Sequence, residues 1–134
     1  MPRPRRPRKP PQVFIFGIWT FDITAATRII AAAPREPAAL PVAAWARAYG
    51  LPQPAEPGGA AALIRPGPGF DPAYAMTTDL TAPVIVATMP AAAGKPMPLL
   101  IDGTHRLFKG LVTGTPELPA WILTEAETAT IRTP

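Results

Sequence analysis

The stretch that decides the fold is PLLIDGTHRLFKGLVTG, residues Pro98–Gly114. Three apolar residues, 99–101, predict a buried strand that runs directly into Asp102 and Gly103. The apolar positions after this turn repeat with the 3.6-residue period of a helix, at Leu107, Phe108 and Leu111. A buried strand, a glycine turn and the start of a helix are together the parts of an anion-binding site.

Two basic residues stand at the predicted start of this helix, where positive charge is disfavoured. His105 and Arg106 fall in its first turn, and the aligned peptide dipoles already give that end partial positive charge. A cation there is unfavourable unless a carboxylate or a bound anion offsets it. The sequence therefore indicates either an anionic ligand at the turn or a salt bridge from Arg106 to an acid such as Asp102.

Length and composition limit the classes of protein that fit. A chain of 134 residues is typical of one domain with a single core, and its 21 prolines argue against continuous regular structure. The absence of cysteine excludes disulfides and thiolate metal sites, and a single histidine argues against zinc, so we predict no protein metal site. No apolar run approaches the roughly 20 residues of a membrane span. The expectation is a cytoplasmic protein without a membrane partner.

The net charge of +4 arises from the first twelve residues. They carry five bases and no acid, whereas the rest of the chain has eight bases and nine acids, a charge of −1. This tail, 1–12, alternates proline with arginine and is predicted to be extended and disordered, because it has nothing to bury. It is either a solubilising leader or an arm for nucleic-acid phosphates, through Arg3, Arg5, Arg6, Arg8 and Lys9.

Residues 13–134 are predicted to form a single domain. Continuous apolar runs predict buried strands at 13–19, 84–89 and 118–123. The strand at 84–89 is expected to pair with 97–101 as a hairpin. The stretch 51–74, rich in proline and glycine, is predicted to be a loop with at most a short strand at 61–64. A connection of this length is typical of a functional lid or a flexible insertion.

Besides the central helix, three others are predicted, at 25–33, 42–49 and 124–131. Asp22 or Thr24 is expected to be the N-cap of the first, and Trp45 to fix the second against the core. Thr124, with Glu127 three residues later, is the capping-box pattern that predicts the start of the third.

The segment LLIDGTHRLFKGLVTGTPELPAWILTEAE, 99–127, resembles the ParB/sulfiredoxin superfamily. Members share an apolar strand, a D-G-x-H-R-like turn, a helix, a glycine and a strand that ends near a T-E pair. Here the turn is Asp102–Arg106, the glycine is Gly114 and the pair is Thr124-Glu125. The resemblance, which covers about residues 79–128, implies a small α+β domain with a mixed sheet and flanking helices that binds nucleotide phosphates at the turn.

The resemblance also implies roles for the residues of the turn. Gly103 would allow close approach of the backbone, the amides of Thr104 and His105 would face a phosphate, and Arg106 would pair with it. His105 would be a second donor or a proton-transfer group. The ligand implied is a nucleoside triphosphate, with Mg²⁺.

Two neighbouring residues are left with alternatives. Asp102 is either the N-cap of the helix, a metal ligand or, with His105, a catalytic group that acts as a general base. Lys109, one turn after His105, either reaches a phosphate or points into solvent.

Two principal hypotheses of function follow. The first is a nucleotide-binding domain, with or without phosphoryl transfer or nucleotide hydrolysis. The alternative is a non-enzymatic accessory protein of plasmid or phage type that binds nucleic acid or a partner protein. A third, a nuclease, needs clustered acids that the sequence does not place. Sulfiredoxin activity is excluded, because Thr104 stands where sulfiredoxins have their cysteine and the chain has none.

Overall fold

Helices and strands alternate through most of the chain in the computed structural model, which describes residues 13–16, 19–51, 71–90 and 95–134. The predicted α+β class is confirmed. In chain order, the described elements are β1 (Val13–Phe16), β2 (Trp19–Asp22), α1 (Ile23–Ala32), β3 (Ala38–Pro41), α2 (Val42–Ala48), α3 (Pro72–Ala75), β4 (Val84–Met89), β5 (Met97–Asp102), α4 (Thr104–Val112), β6 (Glu117–Ile122), α5 (Glu125–Ile131) and β7 (Arg132–Thr133).

The core is built on a mixed four-stranded sheet with the order β3-β6-β4-β5. The predicted hairpin of β4 and β5 is confirmed, with Val86 opposite Leu100, and β6 lies parallel to β4 on its other side. Five of the six residues of β4 are buried, which explains its continuous apolar sequence VIVATM. The chain returns from β5 to β6 through α4, and this crossover places the turn Asp102–Arg106 at the end of the sheet's edge strand.

The single buried strand predicted at 13–19 is wrong. β1 pairs antiparallel with β2, with Phe16 opposite Trp19, and β2 pairs with β7 in a second, three-stranded sheet. β1 is also an edge strand, and its side chains alternate: Val13 and Ile15 are 52% and 68% exposed. A continuous apolar run does not show where the chain reverses within it, nor which face of each strand is exposed to solvent. The sequence therefore did not separate the two strands.

Asp22, one of the two residues predicted as candidates, is the N-cap of α1. Its Oδ1 accepts a hydrogen bond of 2.9 Å from the amide of Ala25, which satisfies one of the helix's unpaired N–H groups. Ile30 packs into the core behind it, while Ile29 is only half-buried.

α2 also forms where it was predicted, but Tyr49 rather than Trp45 is its deepest aromatic residue. Tyr49 is 2% exposed, whereas Trp45 is half-buried. The Tyr49 hydroxyl donates to the carbonyl of Leu100 at 2.9 Å and accepts from the amide of Leu100 at 2.7 Å. Burial raises the pKa of this phenol. One side chain thus satisfies both polar groups of a buried residue on the edge strand β5.

The predicted capping box begins α5. The Thr124 hydroxyl accepts from the amide of Glu127, and the Glu127 carboxylate accepts from the amide of Thr124. The same carboxylate forms an ion pair with Arg35, whose Nη2 lies 2.7 Å from Oε2. The Arg35 guanidinium lowers the pKa of Glu127 to about 2. The pair joins the start of α5 to the residues that follow α1.

Three described elements were not predicted: β3, β7 and α3. The helix α3 falls inside the predicted loop 51–74, with Asp71 as its N-cap and Pro72 in its first turn. That Asp-Pro pattern is a helix start signal, but the surrounding proline and glycine obscured it. The rest of that loop, 52–70, including the predicted strand 61–64, lies outside the described residues, as does the tail 1–12.

Within the described ranges, no helix is long and apolar enough to cross a membrane.

Glu127→Gln should remove part of the acid sensitivity of the fold. Because the folded-state pKa of Glu127 lies near 2, below the ordinary 4.5, the pair with Arg35 stabilises the folded state above about pH 4.5. That contribution, about 1 kcal/mol, is lost as the pH falls from about 4.5 to about 2. Glutamine keeps the capping-box acceptor but has no charge to lose.

Denaturant unfolding between pH 6 and pH 2 measures this effect. The difference in unfolding free energy between wild type and Glu127→Gln should shrink towards zero in acid. Glu125→Gln, in the exposed first position of the same helix, is the control and should keep the wild-type loss. A wild-type advantage over Glu127→Gln that is constant across this range would contradict the assignment.

Candidate functional site

The turn from β5 into α4 depends on Gly103. Its φ of +116° lies in the left-handed region, which side chains rarely adopt. A Cβ built on Gly103 would lie 2.3 Å from Cγ1 of Val84, on β4. The resemblance implied a glycine that lets the backbone approach a phosphate. In the structure, the close approach that requires glycine is to the neighbouring strand.

The N-cap of α4 is Gly103, so the interpretation of Asp102 as the N-cap is wrong. None of the described side chains caps this helix, and its first internal hydrogen bond runs from the amide of Leu107 to the carbonyl of Gly103, at 2.9 Å. Asp102 is still the last residue of β5, one position too early to cap. The left-handed glycine between them makes the chain turn before the helix begins.

The Asp102 carboxylate instead pairs with Arg106, one helical turn along. Arg106 Nη2 lies 2.9 Å from Asp102 Oδ2, and Nη1 donates to the carbonyls of Ala82 and Pro83 at 2.8 and 2.6 Å. This side chain is only 16% exposed. The internal salt bridge, one of the two alternatives open from the sequence, is therefore present, and it also fixes the residues that enter β4.

Lys109 contacts a backbone carbonyl as well. Its Nζ donates to the carbonyl of Thr78 at 2.6 Å, in the segment between α3 and β4. One of the two alternatives from the sequence was that Lys109 points into solvent. The ammonium instead donates to this carbonyl.

His105 contacts the beginning of the same segment. Its Nε2 accepts a hydrogen bond of 3.0 Å from the amide of Asp71, and its ring meets Tyr74 edge-on, with centroids 4.9 Å apart. In this arrangement Nε2 is an acceptor and not the phosphate donor that the resemblance implied.

His105, Arg106 and Lys109 all bind residues 71–83, which we call the α3 segment. Their partners lie at its start, middle and end, at Asp71, Thr78 and Ala82-Pro83. The first and second turns of α4 thus hold this segment through side-chain to backbone hydrogen bonds. These contacts were not predicted, because the partners lie 23 to 34 residues away in sequence.

The acids of this region are also engaged. Asp79 Oδ1 accepts from both the hydroxyl and the amide of Thr81, and the hydroxyl is the main reason that the pKa of Asp79 is lowered. Lys109 and Arg106 contribute to the same shift more weakly. No three His, Cys, Asp or Glu residues gather as metal ligands anywhere in the described ranges.

A separate groove of about 540 Å³ lies between α2 and the beginning of β5. Trp45 and Tyr49 line it with their rings stacked, 6.0 Å apart, together with Met97 and Pro98. The side chains that the structure describes along it carry no charge. The described lining of this groove, mostly apolar and aromatic, differs in chemistry from the turn at Gly103.

A scan against protein-family models, a search of curated proteins and a search of solved structures each gave no match. The fold class is shown by the structure, and the resemblance to the ParB/sulfiredoxin superfamily stays a prediction.

Gly103→Ala should destabilise the protein more than the same change at another left-handed glycine. Gly114 also has a positive φ, +75°, but its added Cβ would meet nothing within 4 Å in the described structure. Gly114→Ala should therefore cost about 1 kcal/mol of backbone strain. Gly103→Ala should cost about 2 to 4 kcal/mol, because the clash with Val84 adds to the strain.

Denaturant unfolding of both variants measures the difference. Equal losses of unfolding free energy would show that the close packing of Gly103 on Val84 contributes nothing.

Proposed function

We propose that this protein is a nucleotide-binding domain that holds a phosphate at the N-terminus of α4. The observation that carries the proposal is the start of this helix, where no side chain in the described part of the chain provides a cap. The first N–H groups of a helix have no partner inside it, and the helix dipole favours an anion beside them. Thr104, half-buried at the first helical position, adds a hydroxyl donor at the same place.

The charges around the turn support an anionic ligand. Asp102 is the acid next to the helix start, and a free carboxylate there would repel a phosphate. Arg106 neutralises it through the ion pair of 2.9 Å. A guanidinium has five N–H donors, so the three hydrogen bonds that Arg106 makes in the described structure do not exhaust it.

An exposed aromatic ring beside the turn favours a nucleotide over a bare phosphate. Tyr74 is 57% exposed, and its ring lies against His105 in the first turn of α4. Stacking of a base on such a ring contributes about 1 to 3 kcal/mol. A nucleotide whose phosphate binds at Thr104 would have this surface for its base.

We propose binding and not phosphoryl transfer. His105 and Asp102, the two residues with predicted catalytic roles, are each engaged: Nε2 of His105 with the amide of Asp71, and Asp102 with Arg106. In the described structure, no hydrogen bond joins His105 to Asp102, so no proton could be relayed between them directly. Mg²⁺ commonly binds through one or two carboxylates together with nucleotide phosphates, so it would enter with the nucleotide.

Calorimetric titration with ATP, CTP, GTP, ADP and pyrophosphate tests this proposal. Thr104→Asp should weaken nucleotide binding at least about tenfold, because a carboxylate at the first position competes for the helix dipole and repels phosphate. The same change should leave the fold intact or stabilise it by about 0.3 to 1 kcal/mol. Loss of binding would then not be a consequence of unfolding.

Two controls separate the contributions. Thr104→Asn keeps a polar, uncharged side chain of similar size and should retain most of the affinity. Tyr74→Ala should weaken nucleotides while leaving pyrophosphate unchanged. The absence of binding by every nucleotide at millimolar concentration, or equal binding by wild type and Thr104→Asp, would overturn the proposal.

A further inference from the structure

The hydrogen bond between His105 and Asp71 constrains the protonation of the imidazole. A backbone amide can only donate, so Nε2 of His105 must present a lone pair at 3.0 Å from the Asp71 nitrogen. In a protonated imidazole both ring nitrogens are donors. Protonation of His105 would therefore replace this hydrogen bond with two donors that face each other.

The bond lies at the start of the short helix α3. α3 has only four residues, too few to be stable without tertiary contacts, and Ala75 is its one buried member. Asp71 is its N-cap, with Oδ1 accepting from the amides of Ala73 and Tyr74. The contact with His105 thus holds the residue from which the helix begins.

The other charged groups near α4 do not duplicate this contact. On α3 they are Asp71 and Tyr74, which touch the imidazole itself. Among the described residues, the remaining titratable or charged groups near α4 lie on α2 and just after it, on the α3 segment, on β5 and β6, and on α4 itself: Arg47, Tyr49, Asp79, Asp102, Glu117, Arg106 and Lys109. Arg106 and Lys109 also bind the α3 segment. Their contacts lie at Thr78 and at Ala82-Pro83, away from Asp71.

We propose that His105 is a proton-operated latch for the α3 segment. With a neutral imidazole the segment is closed on α4 at Asp71, and protonation releases that end while Arg106 and Lys109 keep the other end in place. Histidine is the side chain that most readily changes charge near neutral pH, which makes it suited to such a latch. The latch does not depend on nucleotide binding, because both of its partners belong to the chain.

A competing arrangement would keep the segment closed. The protonated imidazole could turn towards the carboxylate of Asp71 and form an ion pair in place of the lost bond. Asp71 is exposed, however, and exposed ion pairs contribute little. Its Oδ1 is also already occupied by the amides of Ala73 and Tyr74.

Nuclear magnetic resonance of the full chain tests the latch. His105 is the one histidine in the sequence, so its ring protons report the protonation state without ambiguity. The amides of Asp71, Ala73, Tyr74 and Ala75 should lose hydrogen-exchange protection, after correction for intrinsic rates, by about fivefold to tenfold between about pH 8 and pH 5. This loss should follow the midpoint of the imidazole signal, while the amide of Val86, in buried β4, should not change.

Two variants fix the latch in opposite states. His105→Gln supplies an acceptor that does not titrate and should keep these four amides protected at both pH values. His105→Phe keeps an aromatic ring for Tyr74 but has no acceptor, so these amides should be unprotected at both. The proposal is overturned if the wild-type amides stay protected through the imidazole titration, as the ion pair would require. It is also overturned if His105→Gln shows the same transition as wild type.

Discussion

The guanidinium of Arg106 is the interaction on which the arrangement around the turn depends. It joins three parts of the chain: Asp102 at the end of β5, the carbonyls of Ala82 and Pro83 before β4, and its own helix α4. Hydrogen bonds from a charged donor are among the stronger ones in proteins, and this side chain is mostly shielded from solvent. Arg106 therefore fixes the start of β4 and the end of β5 relative to α4.

The packing of Gly103 complements that role. Because a left-handed glycine brings the backbone against Val84, the chain enters α4 without a side-chain cap and with its first turn close to the end of the sheet. Arg106 then offsets the carboxylate of Asp102. The glycine turn and the ion pair thus stabilise the turn and also leave a helix start whose dipole favours an anion. A structural role for Arg106 is therefore compatible with a phosphate bound at Thr104.

The features that could be predicted from the sequence are mainly local. The Asp22 cap, the capping box at Thr124 and the helix after Gly103 each depend on residues a few positions apart, and all three are present. The hairpin of β4 and β5 was also predicted, because both strands are continuous apolar runs joined by a short turn region. Local chemistry and a buried apolar pattern were enough for these elements.

The missed features depend on contacts that a sequence does not show. The reversal between β1 and β2 lies inside one apolar run, and only tertiary pairing reveals it. At the candidate site the residue types were recognised but their partners were not. Arg106 and His105 reach carbonyls and an amide more than 20 residues away, and nothing in the side-chain types indicates which backbone groups they meet. The sequence could therefore identify the turn but not its role in holding the α3 segment.

The free energy of unfolding of Arg106→Gln tests the central claim most directly. Removing the guanidinium leaves the Asp102 carboxylate and two carbonyls without their donor, so the account predicts a loss of about 2 to 3 kcal/mol. Arg28→Gln, on the exposed surface of α1, is the matched control and should change stability by less than about 0.5 kcal/mol. If Arg106→Gln is as stable as Arg28→Gln, Arg106 does not hold the turn together and the account is contradicted.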